Sequence, residues 1–347
     1  MSSKWTISDI AREAQVSKTT VSRVLNGRPD VDAETSARVL ALVKESGYVP
    51  SARAVQLAKG KANAIGLLAP FDTSAWMIEV LRGAMERVQA ANSSLVLHAY
   101  PRTPADEARL AGELRNGAMD ALIVVSLQRP LPVLEAAAAE GLPVIVLDDY
   151  GFNGALPAVV PDEGAGISAA VDHLVDVGRT RFAFLAGRPD NPVTAPRLEA
   201  FRAALARRGI PLDSHCIASA DFTLESAQSA TAALLARGAV FDALFASSDA
   251  MAIGAMRALK QHGLSIPRDV SVVGFDDFAS AEYAEPRLTT VHNPLYEMSA
   301  RAATFVLDAV SENRRIAPVR DRVRTFLKVR DSSDPGLKAA PVPTGHL

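Results

Sequence analysis

Over the first fifty residues the apolar positions recur at helical spacing, and beyond residue 64 short β-rich runs alternate with helical stretches. Ile7, Ile10, Ala11 and Ala14 form one apolar stripe, with Thr6 placed to cap its start. Gln15-Val16 breaks it, and Ser17 caps a second helix, Lys18 to Leu25, whose Val21, Val24 and Leu25 point inward. Asn26-Gly27-Arg28-Pro29 ends that helix. Asp32 then caps a third, Ala33 to Ser46, with Val39, Leu40 and Val43 as its expected buried stripe and Gly47 as its stop. Two short helices joined by a tight turn and closed by a third make a helix-turn-helix unit.

The rest of the chain predicts an α/β fold. Candidate strands are Ala64–Ala69, Leu95–Ala99, Ala121–Ser126, Val144–Leu147, Ala158–Val160, Phe182–Ala186, Ala243–Ala246 and Val270–Phe275. Helical patterns such as Ile78–Ala91, Ala165–Val177, Arg197–Arg208 and Ala250–His262 lie between them. Such alternation means parallel sheets with helices on both faces, and the length suits two sheets with a ligand cleft at their carboxyl edges. The tail, residues 331–347, carries Pro335, Pro341 and Pro343 and no heptad pattern; it is expected to be disordered, with no coiled-coil tetramer.

Composition narrows the function classes. Apolar residues make up 48% and charged residues 22%, as in soluble globular proteins. The single cysteine, Cys216, excludes an internal disulfide and a cysteine metal cluster. No signal-peptide core and no apolar run of about 18 residues is present, which points to a cytoplasmic protein without a membrane partner. The formal net charge of −2 conceals an asymmetry: residues 1–61 carry +4 and the remainder −6. A basic head on an acidic body suits a chain that meets phosphates at one end.

The second helix gives that head its chemistry. Lys18, Thr19, Ser22 and Arg23 lie at its start and along one side, where side chains reach base edges in a major groove. Arg23 suits a forked contact to guanine, Lys18 and Thr19 flanking positions, and Thr20, Ser22 and Asn26 phosphate contacts.

Two strings, Thr6-Ile7-Ser8-Asp9-Ile10-Ala11 and Val16-Ser17-Lys18-Thr19-Thr20-Val21-Ser22-Arg23-Val24-Leu25-Asn26, resemble the LacI family of bacterial regulators. The resemblance continues through Ser248–Leu259, Asp269–Asp277 and Leu288–Val291, and covers roughly residues 5 to 330. Gln15 departs from it, standing in the turn where the family often has glycine. What it implies is a helix-turn-helix domain over residues 1–50, a hinge helix over 51–61, and a two-lobed, periplasmic-binding-protein-like body over 62–330. Lobe 1 would take about 62–160 and 292–325, and lobe 2 about 161–291. Thr6, Ser17 and Tyr48 join the expected DNA-contacting set, and Leu57 aligns with the family leucine that wedges into the minor groove. Ser51 stands where asparagine is usual. The implied partners are pseudo-palindromic operator DNA, a second copy of the chain, and a small effector, most naturally a carbohydrate.

For the effector, Arg197 aligns with the family arginine that holds ligand oxygens, and a guanidinium fork suits vicinal hydroxyls or a carboxylate. Asp276 and Asp148 end strands in the two lobes, Phe222 and Trp76 offer faces on which a sugar stacks, and Ser248 replaces an asparagine of sugar-responsive relatives. Asp249 reads as a helix N-cap. Other signals carry less. Gly164-Ala165-Gly166-Ile167-Ser168-Ala169 fits a dinucleotide template, but no acidic residue ends the following strand, so a helix start is the better reading. His173 reads as a packed histidine. No metal or catalytic motif occurs, so neither cofactor nor enzymatic activity is expected. A solute-binding transport protein shares the expected body fold, but it would need an export signal and no helix-turn-helix.

Overall fold

The computed structural model describes residues 5–25, 28, 30–48, 62–70, 75–126, 129–152, 154–334 and 336. The expected hinge with Leu57, and Asn26 at the end of the second helix, lie outside the described residues. The chain divides into two units, Met1–Asn63 and Ala64–Leu347.

In the first unit, α1 (Ile7–Glu13) opens on a capping box: Asp9 N donates to Thr6 Oγ1, and the Asp9 carboxylate accepts from Thr6 N in return. Ser17 Oγ accepts from Thr20 N at the start of α2 (Lys18–Leu25). Asp32 caps α3 (Ala33–Ser46), which stops at Gly47 with φ +64°. Ile10, Ala11, Ala14, Val21, Val24 and Val39 form the core, with Leu42, Val43 and Tyr48 packed on it. Leu40 corrects the sequence reading. It is 51% exposed, because Val39 and Val43 already fill the narrow contact that so small a unit offers α3. Gln15 adopts φ 54°, a left-handed turn residue where glycine is easiest.

The second unit holds two six-stranded sheets among its described residues. Lobe 1 has the order β11-β5-β4-β3-β1-β2, where β1 is Ala64–Ala69, β2 Ser94–Ala99, β3 Ala121–Val125, β4 Val144–Leu147, β5 Ala158–Asp162 and β11 Arg320–Arg324. Lobe 2 has the order β12-β10-β9-β8-β6-β7, where β6 is Phe182–Ala186, β7 Ile217–Ser219, β8 Ala243–Ala246, β9 Ser271–Asp276, β10 Thr289–His292 and β12 Phe326–Lys328. All neighbours pair parallel except β10 and β12. Strands β1, β3, β4, β6 and β8 are buried throughout, as expected of parallel strands covered on both faces. Helices α4 (Ala75–Ala90) and α12 (Leu295–Ser311) pack together over lobe 1, and α9 (Leu224–Ala236) and α10 (Asp249–Gln261) over lobe 2. The α4–α12 approach depends on Gly83: a Cβ there would sit 2.2 Å from the carbonyl oxygen of Tyr296.

The chain crosses between the sheets three times, near residues 162, 293 and 325. The third crossing adds β12 and residues 329–334, which lay outside both expected lobes, to lobe 2. The tail reading is corrected for residues 331–334. Asp331 pairs with Arg287 at 2.7 Å, Ser332 and Ser333 are fully buried, and Ser332 bonds to Val272 and Thr289. Proline and polar content suggested disorder there, but three hydroxyl and carboxyl groups find partners on lobe 2. Residues 337–347 lie outside the described residues. Strands β7, β10, β11 and β12 escaped the sequence pattern: three lie at sheet edges, and β11 reads Arg-Asp-Arg-Val-Arg, the charged character of an edge.

Candidate functional site

In both sheets the strand order reverses beside one strand, between β1 and β3 in lobe 1 and between β6 and β8 in lobe 2. Open α/β sheets bind ligands outside the carboxyl ends at such points. Pro70 and Ser126 follow β1 and β3, Arg188 and Ser248 follow β6 and β8, and all four line one cavity of about 510 Å³. All six residues singled out for an effector line it too: Trp76 and Asp148 from lobe 1, and Arg197, Phe222, Ser248 and Asp276 from lobe 2.

Backbone strain gathers here. Ser126, Asp148, Phe222 and Asp276 have φ of 50°, 60°, 69° and 113°, a region that non-glycine residues seldom occupy and that marks sites where side chains are held for a purpose. The Phe222 ring lies against Gly187, where any Cβ would meet it at 2.2 Å. Only a glycine after β6 leaves that ring its place in the cavity wall.

Arg197 projects from α8 (Thr194–Arg207) and is 5% exposed. Its Nε and Nη2 donate to Glu163 Oε1 at 2.9 and 2.6 Å, its Nη1 donates to the Ser247 carbonyl at 2.7 Å, and its plane lies 3.9 Å over the Phe275 ring. Burial works against its charge, but Glu163, Tyr150 and Asp276 hold it protonated. Glu163 opens α7 (Glu163–Asp176), and Tyr150 donates a longer bond, 3.4 Å, to the same oxygen.

The two strand-end carboxyls differ from ordinary aspartates. Burial pushes Asp148 up to about 7, with the Glu163 charge adding and Tyr150 and Arg197 opposing. Burial likewise pushes Asp276 up to about 7; Arg197 and a 3.4 Å bond from Asn293 Nδ2 oppose it, while Glu163 and Asp148 add. Asp148 Oδ1 and Asn293 Oδ1 are buried without a hydrogen-bond partner among the described residues. At the rim Arg188 holds Asp190, with Nε to Oδ1 at 2.9 Å. One reading is corrected. Asp249 is no N-cap; Ser248 fills that role, accepting from Met251 N at 3.2 Å. Asp249 instead accepts from Thr290 Oγ1 and Phe278 N across lobe 2. His173 is half-buried and bonds Ser333 at 2.7 Å. The sequence did not single out Glu163 as the partner of Arg197, nor Tyr150 or Asn293.

In the first unit Lys18, Thr19 and Arg23 lie exposed on α2. Arg23 holds Asp30 at 3.2 Å, a solvent-exposed pair that phosphate or guanine could replace at little cost. Thr6, Ser17 and Thr20 spend hydroxyl bonds on helix starts, Ser22 is half-buried, and Tyr48 packs on the core. Among the described residues no group of three or more His, Cys, Asp or Glu is arranged to hold a metal. No helix among them is long and apolar enough to cross a membrane.

Residues 6–51 match the bacterial regulatory proteins of the lacI family, and residues 171–333 the periplasmic binding protein-like domain. The chain is 32% identical over 341 residues to the HTH-type transcriptional regulator CelR of Thermobifida fusca, covering 94% of this chain and 98% of that one. The structure of a CelR–cellobiose complex matches it with a TM-score of 0.70 and 30% identity, covering 95% and 100% of the two chains. The lac repressor dimer bound to operator and the anti-inducer ONPF matches with a TM-score of 0.84 and 26% identity, covering 95% and 99%.

Proposed function

The chain belongs to the LacI family of bacterial regulatory proteins, and from that premise we propose a homodimeric cytoplasmic repressor whose grip on operator DNA is set by a carbohydrate in the interlobe cavity. As a family member it is a sequence-specific DNA-binding regulator of transcription, and the body serves as sensor rather than catalyst. The observation that carries the sensing role is the cavity itself. Polar groups from two lobes meet in it, so a ligand that bonds Asp148 on one side and Asp276 on the other draws the lobes together. Trp76 and Phe222 supply the faces on which a sugar ring stacks, and Arg197, fixed by Glu163, presents its remaining N–H groups to ligand oxygens.

The DNA contacts follow from the exposed side of α2. Arg23 forks onto a guanine, Lys18 and Thr19 read flanking positions, and Ser17, Thr20, Ser22 and Asn26 meet phosphates together with Thr6 and Tyr48. Leu57 wedges into the minor groove at the operator centre. Twofold pairing supports a pseudo-palindromic site, and lobe 1 offers a face for it: Ile78 and Met85 on α4 and Val96 and Leu97 on β2 are exposed apolar side chains.

The test pairs two assays on the full-length protein. Selection from random duplexes is expected to enrich a pseudo-palindrome, and a carbohydrate that alters retention on that duplex is expected to have no effect on Arg197→Ala, whose basal DNA binding stays intact. Failure to enrich any duplex removes the repressor reading; a normal response in Arg197→Ala removes the cavity from it.

A further inference from the structure

The charges around the cavity do not balance, and the imbalance selects among effectors. Two guanidiniums face it, and each already has a carboxylate: Arg197 has Glu163, and Arg188 has Asp190. Three more carboxyls line the cavity, Asp148, Asp221 and Asp276, and none of them has an ion pair among the described residues. Asp221 bonds Thr223 and Ser226, which keeps it ionised. Among the described residues the cavity therefore presents surplus negative charge, and the buried Arg197 is spent on its own partner. We propose, on the footing of the effector cavity described above, that it takes an uncharged polyhydroxyl ligand and rejects phosphorylated and carboxylated counterparts of the same skeleton.

An anionic group would meet a surplus of carboxyls in a partly desolvated space, where like charges cost most. The unpartnered acceptors Asp148 Oδ1 and Asn293 Oδ1 ask for donors, while the free N–H groups of Arg197 and the Ser126 hydroxyl ask for acceptors. A hydroxyl does both. A neutral polyol satisfies both sets without leaving a charge unpaired.

The experiment is calorimetry on the full-length protein at pH 7.5, with matched sets on gluco- and ribo-skeletons: free sugar, β-linked disaccharide, 6- or 5-phosphate and aldonate. A neutral member is expected to bind at least tenfold more tightly than its phosphate and its aldonate. In Asp148→Asn/Asp276→Asn the gap between neutral and anionic members is expected to shrink while neutral binding weakens. An anionic member binding as well as its neutral counterpart overturns the charge-selection proposal and leaves the sensing cavity standing. Silence from every set overturns the carbohydrate reading beneath it, and the proposal falls with it.

Discussion

Asp148 and Asp276 are held at a cost. Their carboxyls sit near 7 in the folded chain and near 4 in an unfolded one. Below about pH 4 both states keep the proton. Between about 4 and 7 the unfolded chain releases it and the folded chain does not, so stability falls as pH rises through that window. Asp148→Asn and Asp276→Asn are therefore expected to raise the melting temperature of the effector-free protein at pH 7.5 while weakening effector binding; calorimetric scans decide it, and a lowered melting point would contradict the assignment. Because the ionised carboxylates are the better acceptors, affinity for a neutral polyol is expected to rise from pH 6 to pH 8. The same trade of stability for function shows in the left-handed backbone at both aspartates. Arg23 lies at the other end of the chain's work. Arg23→Ala is expected to cost about 1–3 kcal/mol in specific binding and to relax preference at one base position. Gel shifts against single-base operator variants would read it, and unchanged discrimination would move the guanine contact elsewhere.

Among the elements, the crossing strands carry a second cluster beside the cavity. Asp277, next to Asp276, accepts from His292 Nδ1 on β10 at 2.8 Å, from Lys328 Nζ on β12 at 2.5 Å, and from Arg330 Nη2 at 2.7 Å. Burial pushes this carboxyl up, but the three donors outweigh it and hold it at about 2. A depressed carboxyl gives stability that is present above the unfolded value near 4 and lost as pH falls toward 2. Asp277→Asn is expected to cost on the order of 2 kcal/mol at neutral pH. It should also remove part of the acid-induced loss between pH 4 and 2, measured by urea titration across that range. A second tie joins the first and third crossings. Thr325 Oγ1 donates to the Asp162 carbonyl at 2.6 Å and accepts from Gly166 N at 2.9 Å. This explains Gly166, the second glycine of the string that mimics a dinucleotide motif. Gly166 packs on Thr325 and Val291, where a Cβ would come within 2.5 Å of both.

At the scale of the molecule the proposed pairing rests on the apolar face of α4 and β2. Leu97, 61% exposed on the edge strand β2, is the residue whose replacement separates a dimer face from an idle one. Leu97→Asp is expected to weaken self-association about tenfold or more. Sedimentation equilibrium at micromolar concentrations checks it, and an unchanged association constant would place the partner elsewhere.

The sequence by itself determined most of the elements and their local chemistry. Helical stripes, caps and the left-handed Gly47 followed from local rules, because a cap or a turn is settled by residues three or four apart. The buried parallel strands were legible as continuous apolar runs. Six cavity residues were nameable because they stand at strand ends and helix starts, positions that short-range patterns and a family resemblance both mark. What only the tertiary structure decided was partnership across distance. Glu163 meets Arg197 from 34 residues away, and Asn293 meets Asp276 from 17. Short edge strands formed where a neighbour already waited, and residues 331–334 became ordered through hydroxyls buried on lobe 2. No period in a chain encodes which carboxylate neutralises which guanidinium. That depends on where two sheets bring their ends together, and with it goes the charge left over for a ligand.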